Sequence, residues 1–376
     1  MSGSRQSTES LCNDGVVIEM LQTTTNPTRH ANQIRSFAMK QWEAGALPTP
    51  HLLDGTWWFD DETVDFFQHL IETTDGLTAC LGTPSVFLRA SRELPSKVIL
   101  IDKDPLLRQV LLRHGHQNVI TADLQRVCPL NLEVDLVIAD PPWYENEMNS
   151  FLDAAHAAAK VGATILMSIP PRETRSTIEE ERLRIFERAT EAGLILRGVA
   201  CGGTRYICPP FEHNVLRSMG EEFIRDWRVG DLAKFEVIQP KLVCQEPVLE
   251  IGEWDEICLA RTRLRLARRP TLERGQTQLL SMGWPEDVFP SCSRRHPLRG
   301  CADVWTSGNR AFTCRDTNGL LRLALHLQSD SLGKLGRKVA DLPASFSQED
   351  QQSAHQLLRL AQREEQEYEA VRQLYV

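Results

Sequence analysis

The sequence lacks any apolar run of the roughly 20 residues needed to span a bilayer, so a membrane-embedded protein is not expected. Its first residues, Met1-Ser2-Gly3-Ser4-Arg5, do not lead into the apolar core of a signal peptide. There is no Cys-x-x-Cys pair. Ten cysteines scattered without paired spacing read as reduced thiols of a cytoplasmic protein. Cys292, His296, Cys301 and Cys314 therefore read as unligated, and no metal is expected. There is also no basic excess. A formal net charge of −9 excludes a molecule that binds nucleic acid with its whole surface, so any polyanion site must be a local patch.

What is present is ordinary globular composition, 41% apolar and 25% charged, over 376 residues, enough for two domains. The most informative stretch is Val134 to Tyr144. Leu136 to Ala139 form an unbroken apolar run, the pattern of a strand buried on both faces of a parallel sheet. Asp140 falls at its carboxyl end, where open α/β sheets place ligands. Pro141 and Pro142 stiffen the turn that follows. Asp140 and the Pro141 carbonyl can accept the two N–H bonds of a planar amino group. Trp143 offers a face on which a base can stack, worth roughly 1–3 kcal/mol. The set suits methyl transfer to the exocyclic nitrogen of a base.

Upstream, Leu77 to Leu81 leads into Gly82-Thr83-Pro84-Ser85 and a helix, a tight turn whose backbone can approach a ligand. Val98 to Ile101 ends in Asp102 about twenty residues on, the spacing of an acid that grips ribose hydroxyls. Val119 to Ala122 ends in Asp123. Three strands thus deliver carboxylates to one sheet edge. Alternation continues through Ala163–Ile169, Leu194–Ala200 and Leu232–Ile238, which predicts a doubly wound, mostly parallel sheet. Asp60 or Asp61 is expected to cap the helix that follows Trp57-Trp58-Phe59, three aromatics read as core. Cys201 to Asn214 reads as a loop from its glycines and prolines. In it, Phe211 is a candidate second stacking face and His213 a candidate polar contact.

The succession Trp-Trp-Phe-Asp-Asp-Glu-Thr, Ala-Cys-Leu-Gly-Thr-Pro-Ser-Val, Ile-Asp-Lys-Asp and Ile-Ala-Asp-Pro-Pro-Trp resembles the N6-adenine methyltransferase-like family over about residues 51–230. That family includes lysine methyltransferases of elongation factor 1A and a zinc-knuckle ribosomal RNA methyltransferase. The resemblance implies a Rossmann-like class I methyltransferase using S-adenosylmethionine. It implies that Gly82, Thr83, Pro84 and Ser85 lie along the methionine part of the cofactor, that Asp102 holds the ribose and Asp123 the adenine amine. Asp140, Pro141, Pro142 and Trp143 would form the acceptor site, with Tyr144 widening it. The family usually carries Phe or Tyr where this chain has Trp143.

Past Pro240 the character changes. Between 257 and 300, nine arginines stand against three acids. Arg261, Arg263 and Arg265 alternate with Thr262, Leu264 and Leu266. On a strand this puts three guanidiniums on one face, as a phosphate backbone would require. Asp303 to Arg310 reads as a hairpin turn. Ser347-Gln348-Glu349-Asp350 opens a capped helix with one apolar stripe. The expected organisation is a helical or disordered segment (1–48), a methyltransferase domain (49–240), an Arg-rich α+β accessory domain that holds the substrate (241–346) and a C-terminal helix (347–376). The expected activity is N-methylation of adenine in RNA or DNA. The alternatives are a protein lysine as acceptor, or a catalytically silent fold acting as a binding subunit.

Overall fold

The computed structural model describes residues 47–126, 132–221, 228–240, 254–269, 276–293 and 295–375. The N-terminal segment expected over 1–48 lies almost wholly outside them, as do Arg274 and Arg294.

Eight strands form the larger sheet: β1 (Trp58–Phe59), β2 (Thr78–Leu81), β3 (Val98–Asp102), β4 (Val119–Thr121), β5 (Val134–Ala139), β6 (Ala159–Ile169), β7 (Leu194–Ile207) and β8 (Val229–Val237). Their order is β4-β3-β2-β5-β6-β8-β7-β1. Strands β2 to β6 pair parallel, while β8 runs antiparallel between β6 and β7. The order reverses between β2 and β5, the switch point at which open sheets bind ligands. This is the doubly wound, mostly parallel sheet that the strand and helix alternation predicts, in the arrangement the family resemblance implies.

Helices cover both faces. On one lie α1 (Asp61–Thr73), α2 (Pro84–Glu93) and α3 (Pro105–Arg113); on the other, α4 (Glu145–Ala158) and α5 (Ile178–Glu191). Asp60 caps α1 by accepting from the Thr63 amide at 2.9 Å, and Asp104 caps α3 through the Leu106 amide at 2.9 Å. Central strand residues such as Cys80, Leu100 and Ile138 are fully buried, as continuous apolar runs require.

The predicted loop at 201–214 is not one. β7 continues to Ile207, and α6 (Pro210–Ser218) starts three residues later. The glycines serve an irregularity inside the strand. Register shifts between Ala200 and Thr204, with Gly202 at φ 64°, and pairing with β8 then resumes.

The second domain is a five-stranded antiparallel sheet in the order β11-β13-β12-β10-β9. It comprises β9 (Trp254–Leu259), β10 (Thr262–Ala267), β11 (Leu280–Ser281), β12 (Val304–Thr306) and β13 (Ala311–Thr313). Three helices cover it: α7 (Thr317–Leu327), α8 (Leu332–Ala340) and α9 (Gln348–Gln373). Ser347 and Asp350 form a reciprocal capping box at the start of α9. The stripe of α9 is divided. Leu357, Leu360 and Ala361 join the core of the second domain, whereas Tyr368, Val371 and Tyr375 join the methyltransferase core. The Cys208 amide donates to the Tyr375 hydroxyl at 2.7 Å.

Two of the three arginines of the stripe, Arg263 and Arg265, do not face solvent. Arg263 is 2% exposed and lies between the two domains. Its guanidinium reaches Asp104 at 2.9 Å and Asp54 at 3.0 Å, binds Glu256, and donates to the Thr49 carbonyl at 3.0 Å. Arg265 pairs with Asp54 at 2.7 Å and Glu256 at 2.9 Å. Arg261 pairs with Glu365 at 3.1 Å and lies over the Tyr368 ring. The expectation that these three hold phosphates is therefore corrected. Arg263 and Arg265 do alternate on β10, but the face they share packs on Asp54, Asp104 and Glu256 rather than on water, and Arg261 lies in the turn before the strand.

Candidate active site

The carboxyl ends of β2, β3, β4 and β5 open onto a cleft of about 50 Å³ lined by Gly82, Asp102, Asp123, Asp140, Phe151 and Asp54 among others. Gly82 has φ 65°, and a Cβ there would meet Phe151 at 3.1 Å and the Asp140 carbonyl at 3.3 Å. A larger residue would thus fill the cleft as well as strain the turn. Asp102 and Asp123 end adjacent strands and face the same space. Burial pushes the Asp102 carboxyl up to about 7, against the hydrogen bond it accepts from the Asp104 amide. Of the four residues expected along the methionine, Gly82 alone lines the cleft. Thr83, Pro84 and Ser85 are buried in the start of α2.

A second cavity of about 380 Å³ adjoins the first. The two share Gly55, Trp57, Asp140 and Pro142. Asp140 thus stands where they meet. Pro141, Trp143 and Tyr144 line the second cavity. The Tyr206 hydroxyl donates to Asp140 Oδ1 at 2.6 Å, and Ser168 Oγ lies 2.6 Å from the same hydroxyl. Burial pushes the Asp140 carboxyl up to about 7, although the Tyr206 hydrogen bond, the Arg228 charge and Ser168 pull the other way. Tyr206 thereby fixes one carboxylate oxygen, Oδ1.

Trp143 stands edge-on to Tyr206, with centroids 5.8 Å apart. It also presses against the backbone of β8. A Cβ on Gly230 would meet Trp143 Cζ2 at 2.8 Å and Thr204 Oγ1 at 2.5 Å. Gly230→Ala is therefore expected to displace the indole and lower turnover about tenfold, with cofactor affinity unchanged. Steady-state kinetics beside calorimetry check this; a silent substitution would show that the indole position is immaterial.

Phe211 and His213 do not reach the cavity. Phe211 is fully buried on α6 and meets Trp57 edge-on at 5.1 Å, in a cluster with Leu52, Phe289 and Trp305. His213 sits further along α6, where burial lowers its pKa and Arg217 adds to the effect. In place of Phe211, Trp57 lines the cavity beside Trp143 and Tyr144, and its indole N–H donates to Glu212 at 2.7 Å. Arg228 donates to Glu212 at 3.2 Å and lies over both Trp57 (4.2 Å) and Trp143 (4.7 Å). Tyr206, Ser168, Glu212 and Arg228 are the residues that sequence reasoning missed. Tyr206 sat in a stretch read as loop, and the sequence carried no local signal that the strand continues through the glycines. Among the described residues, no three of His, Cys, Asp or Glu come together as a metal site, and no helix is long and apolar enough to cross a membrane.

An open sheet of this order, with a glycine turn after its first parallel strand and acids at the next two strand ends, defines a class I methyltransferase domain. Residues 55–190 match the model of a family described as probable N6-adenine methyltransferase. The domain is that of an S-adenosylmethionine-dependent methyltransferase, and S-adenosylmethionine is its cofactor. The donor set suits that molecule. Carboxylates at 102 and 123 can accept ribose hydroxyls and an adenine amine, and the Gly82 cradle admits the methionine chain.

No curated protein sequence matches the chain. Solved structures similar to it include a branched-chain polyamine synthase from Thermus thermophilus, 16% identical over 57% of this chain and 67% of that one, TM-score 0.47. Others are a 16S rRNA N2 G1207 methyltransferase from the same organism (14%, 58% and 49%, TM-score 0.29) and a geranyl diphosphate C-methyltransferase from Streptomyces coelicolor (10%, 48% and 78%, TM-score 0.34).

Proposed function

We propose that this protein methylates the exocyclic amino group of adenine in RNA or DNA. The observation that carries the reading is Asp140, set between the cofactor cleft and a cavity walled by flat aromatic faces. A planar base stacks on Trp143 or Trp57. Its amine gives one N–H to Asp140 Oδ2 and the other to the Pro141 carbonyl, which turns the nitrogen lone pair toward the cofactor cleft. The bound cofactor supplies an electrophilic methyl on sulfonium. Asp140 takes the proton the nitrogen sheds, a task for which a carboxyl near 7 is matched. Tyr206 holds that carboxylate in place. Trp57, Trp143, Tyr144 and Tyr206 along the cavity walls support a planar acceptor over a lysine side chain.

Labelled cofactor offered to an adenine-containing oligonucleotide pool and to a cell-protein pool tests this directly. Label at N6 of adenine is expected. Label confined to protein lysines would replace the reading with the lysine alternative. Trp143→Ala is expected to weaken acceptor binding by about 1–3 kcal/mol, and Trp143→Phe by less. Equal binding by all three forms would remove Trp143 from the acceptor site.

A further inference from the structure

Three arginines line the acceptor cavity, and they are not equivalent. Arg228 is committed to Glu212 and to the two tryptophan rings. Arg175 is committed through Nε, 3.1 Å from Glu181 Oε1, and through Nη2, which binds Glu181 Oε2. Its Nη1 has no hydrogen-bond partner among the described residues. Arg295 is the third. It comes from the second domain, is exposed, and forms no ion pair among the described residues. Its guanidinium carbon lies 5.1 Å from the centroid of Tyr144, the residue next to Trp143.

We infer that Arg295, with Arg175 Nη1, binds a phosphate of the acceptor polynucleotide beside the target nucleotide. The inference rests on the nucleic-acid reading above and names where that substrate is gripped. A guanidinium stacked on a ring keeps its N–H edge free, and that edge matches phosphate geometry. The acids nearby do not oppose an anion there. Glu212 is neutralised by Arg228 and Glu181 by Arg175. The cavity volume of about 380 Å³ falls in the range of sites that enclose most of a small ligand, which leaves the backbone of a seated nucleotide at the rim. Ser293 and Cys292 line the same wall, so the second domain completes the acceptor cavity instead of offering a remote basic strand.

The test uses the full chain and a labelled single-stranded oligoadenylate, with affinity measured across a salt series. Arg295→Gln is expected to weaken binding about tenfold and to flatten the plot of log affinity against log salt by about one unit. Arg295→Lys is expected to restore most of the slope, since it keeps the charge. Adding Arg175→Gln should remove up to about one further unit. Arg295 is exposed, so its variants are expected to melt as the wild type does, which separates lost contact from lost fold. An unchanged slope in Arg295→Gln overturns the phosphate site, and so does failure of the wild type to bind the oligonucleotide. Methyl transfer to adenine with an unchanged slope overturns this inference alone. Salt-dependent binding that the Arg295 variant flattens, without any transfer to adenine, upholds the phosphate site and overturns the acceptor assignment.

Discussion

Asp140→Asn is expected to lower turnover by about 10²–10⁴-fold while cofactor affinity changes little. Asparagine keeps the shape of the side chain and can still accept from Tyr206. It cannot take a proton, and its amide hydrogens would oppose those of the acceptor. The same substitution is expected to raise the melting temperature at pH 8. The sign follows from the folded carboxyl, which stands near 7 against an ordinary value of 3.8. Folding favours the protonated form, so the stability that Asp140 contributes is present in full below its ordinary value. It is lost as pH rises through about 7. Above that, the native state carries a desolvated carboxylate that asparagine removes. Calorimetry at pH 5 and pH 8 should therefore show a gain that is larger at the higher pH. Wild-type turnover should rise with pH through about 7 as Asp140 ionises, and Tyr206→Phe should move that midpoint upward, since the Tyr206 hydrogen bond favours the charged form. Near wild-type turnover in Asp140→Asn would mean the acceptor binds elsewhere.

Arg263→Met is expected to be the most damaging single change outside the catalytic cavity. Removing one partner of a buried ion pair costs about 3–5 kcal/mol, because the remaining charge is left without compensation. Here three acids lose their shared cation. Burial alone would push the Asp54 carboxyl up, yet Arg263 and Arg265 beside it hold it well below the usual range. Asp54 lines the cofactor cleft, and Asp104 donates its amide to Asp102. Cofactor affinity is therefore expected to fall at least tenfold along with stability. A chain ending near residue 240 should fail in the same way, since it loses both arginines. Cofactor titration of the variant at a temperature where it remains folded separates the two effects. Wild-type affinity there would show that the arginine only holds the domains together.

The fold of the large sheet was legible because continuous apolar runs and strand-end acids are local signals. Leu136 to Asp140 could be placed at a ligand edge from five residues. Tyr206 was hidden because glycine inside a strand and glycine in a loop look alike in sequence; only pairing with β8 distinguishes them. Arg263 and Arg265 were misread for a related reason. Alternation states that side chains share a face but not what covers it, and the covering acids Asp54 and Asp104 lie some 159 to 211 residues away in sequence. Trp57 lines the cavity and Phe211 packs behind it, because the cluster that joins them is a long-range contact that local sequence does not state.

The divided stripe of α9 bears on how the protein is made. The methyltransferase core includes Tyr368, Val371 and Tyr375, which are synthesised after every strand of both sheets. Domains usually fold as units while the ribosome is still working, N-terminal first. This one has no such option: until α9 emerges, the β7 edge near Cys208 lacks its Tyr375 partner and the core has a gap. Its final packing is thus postponed until the second domain, which receives the other half of the same helix, has been synthesised.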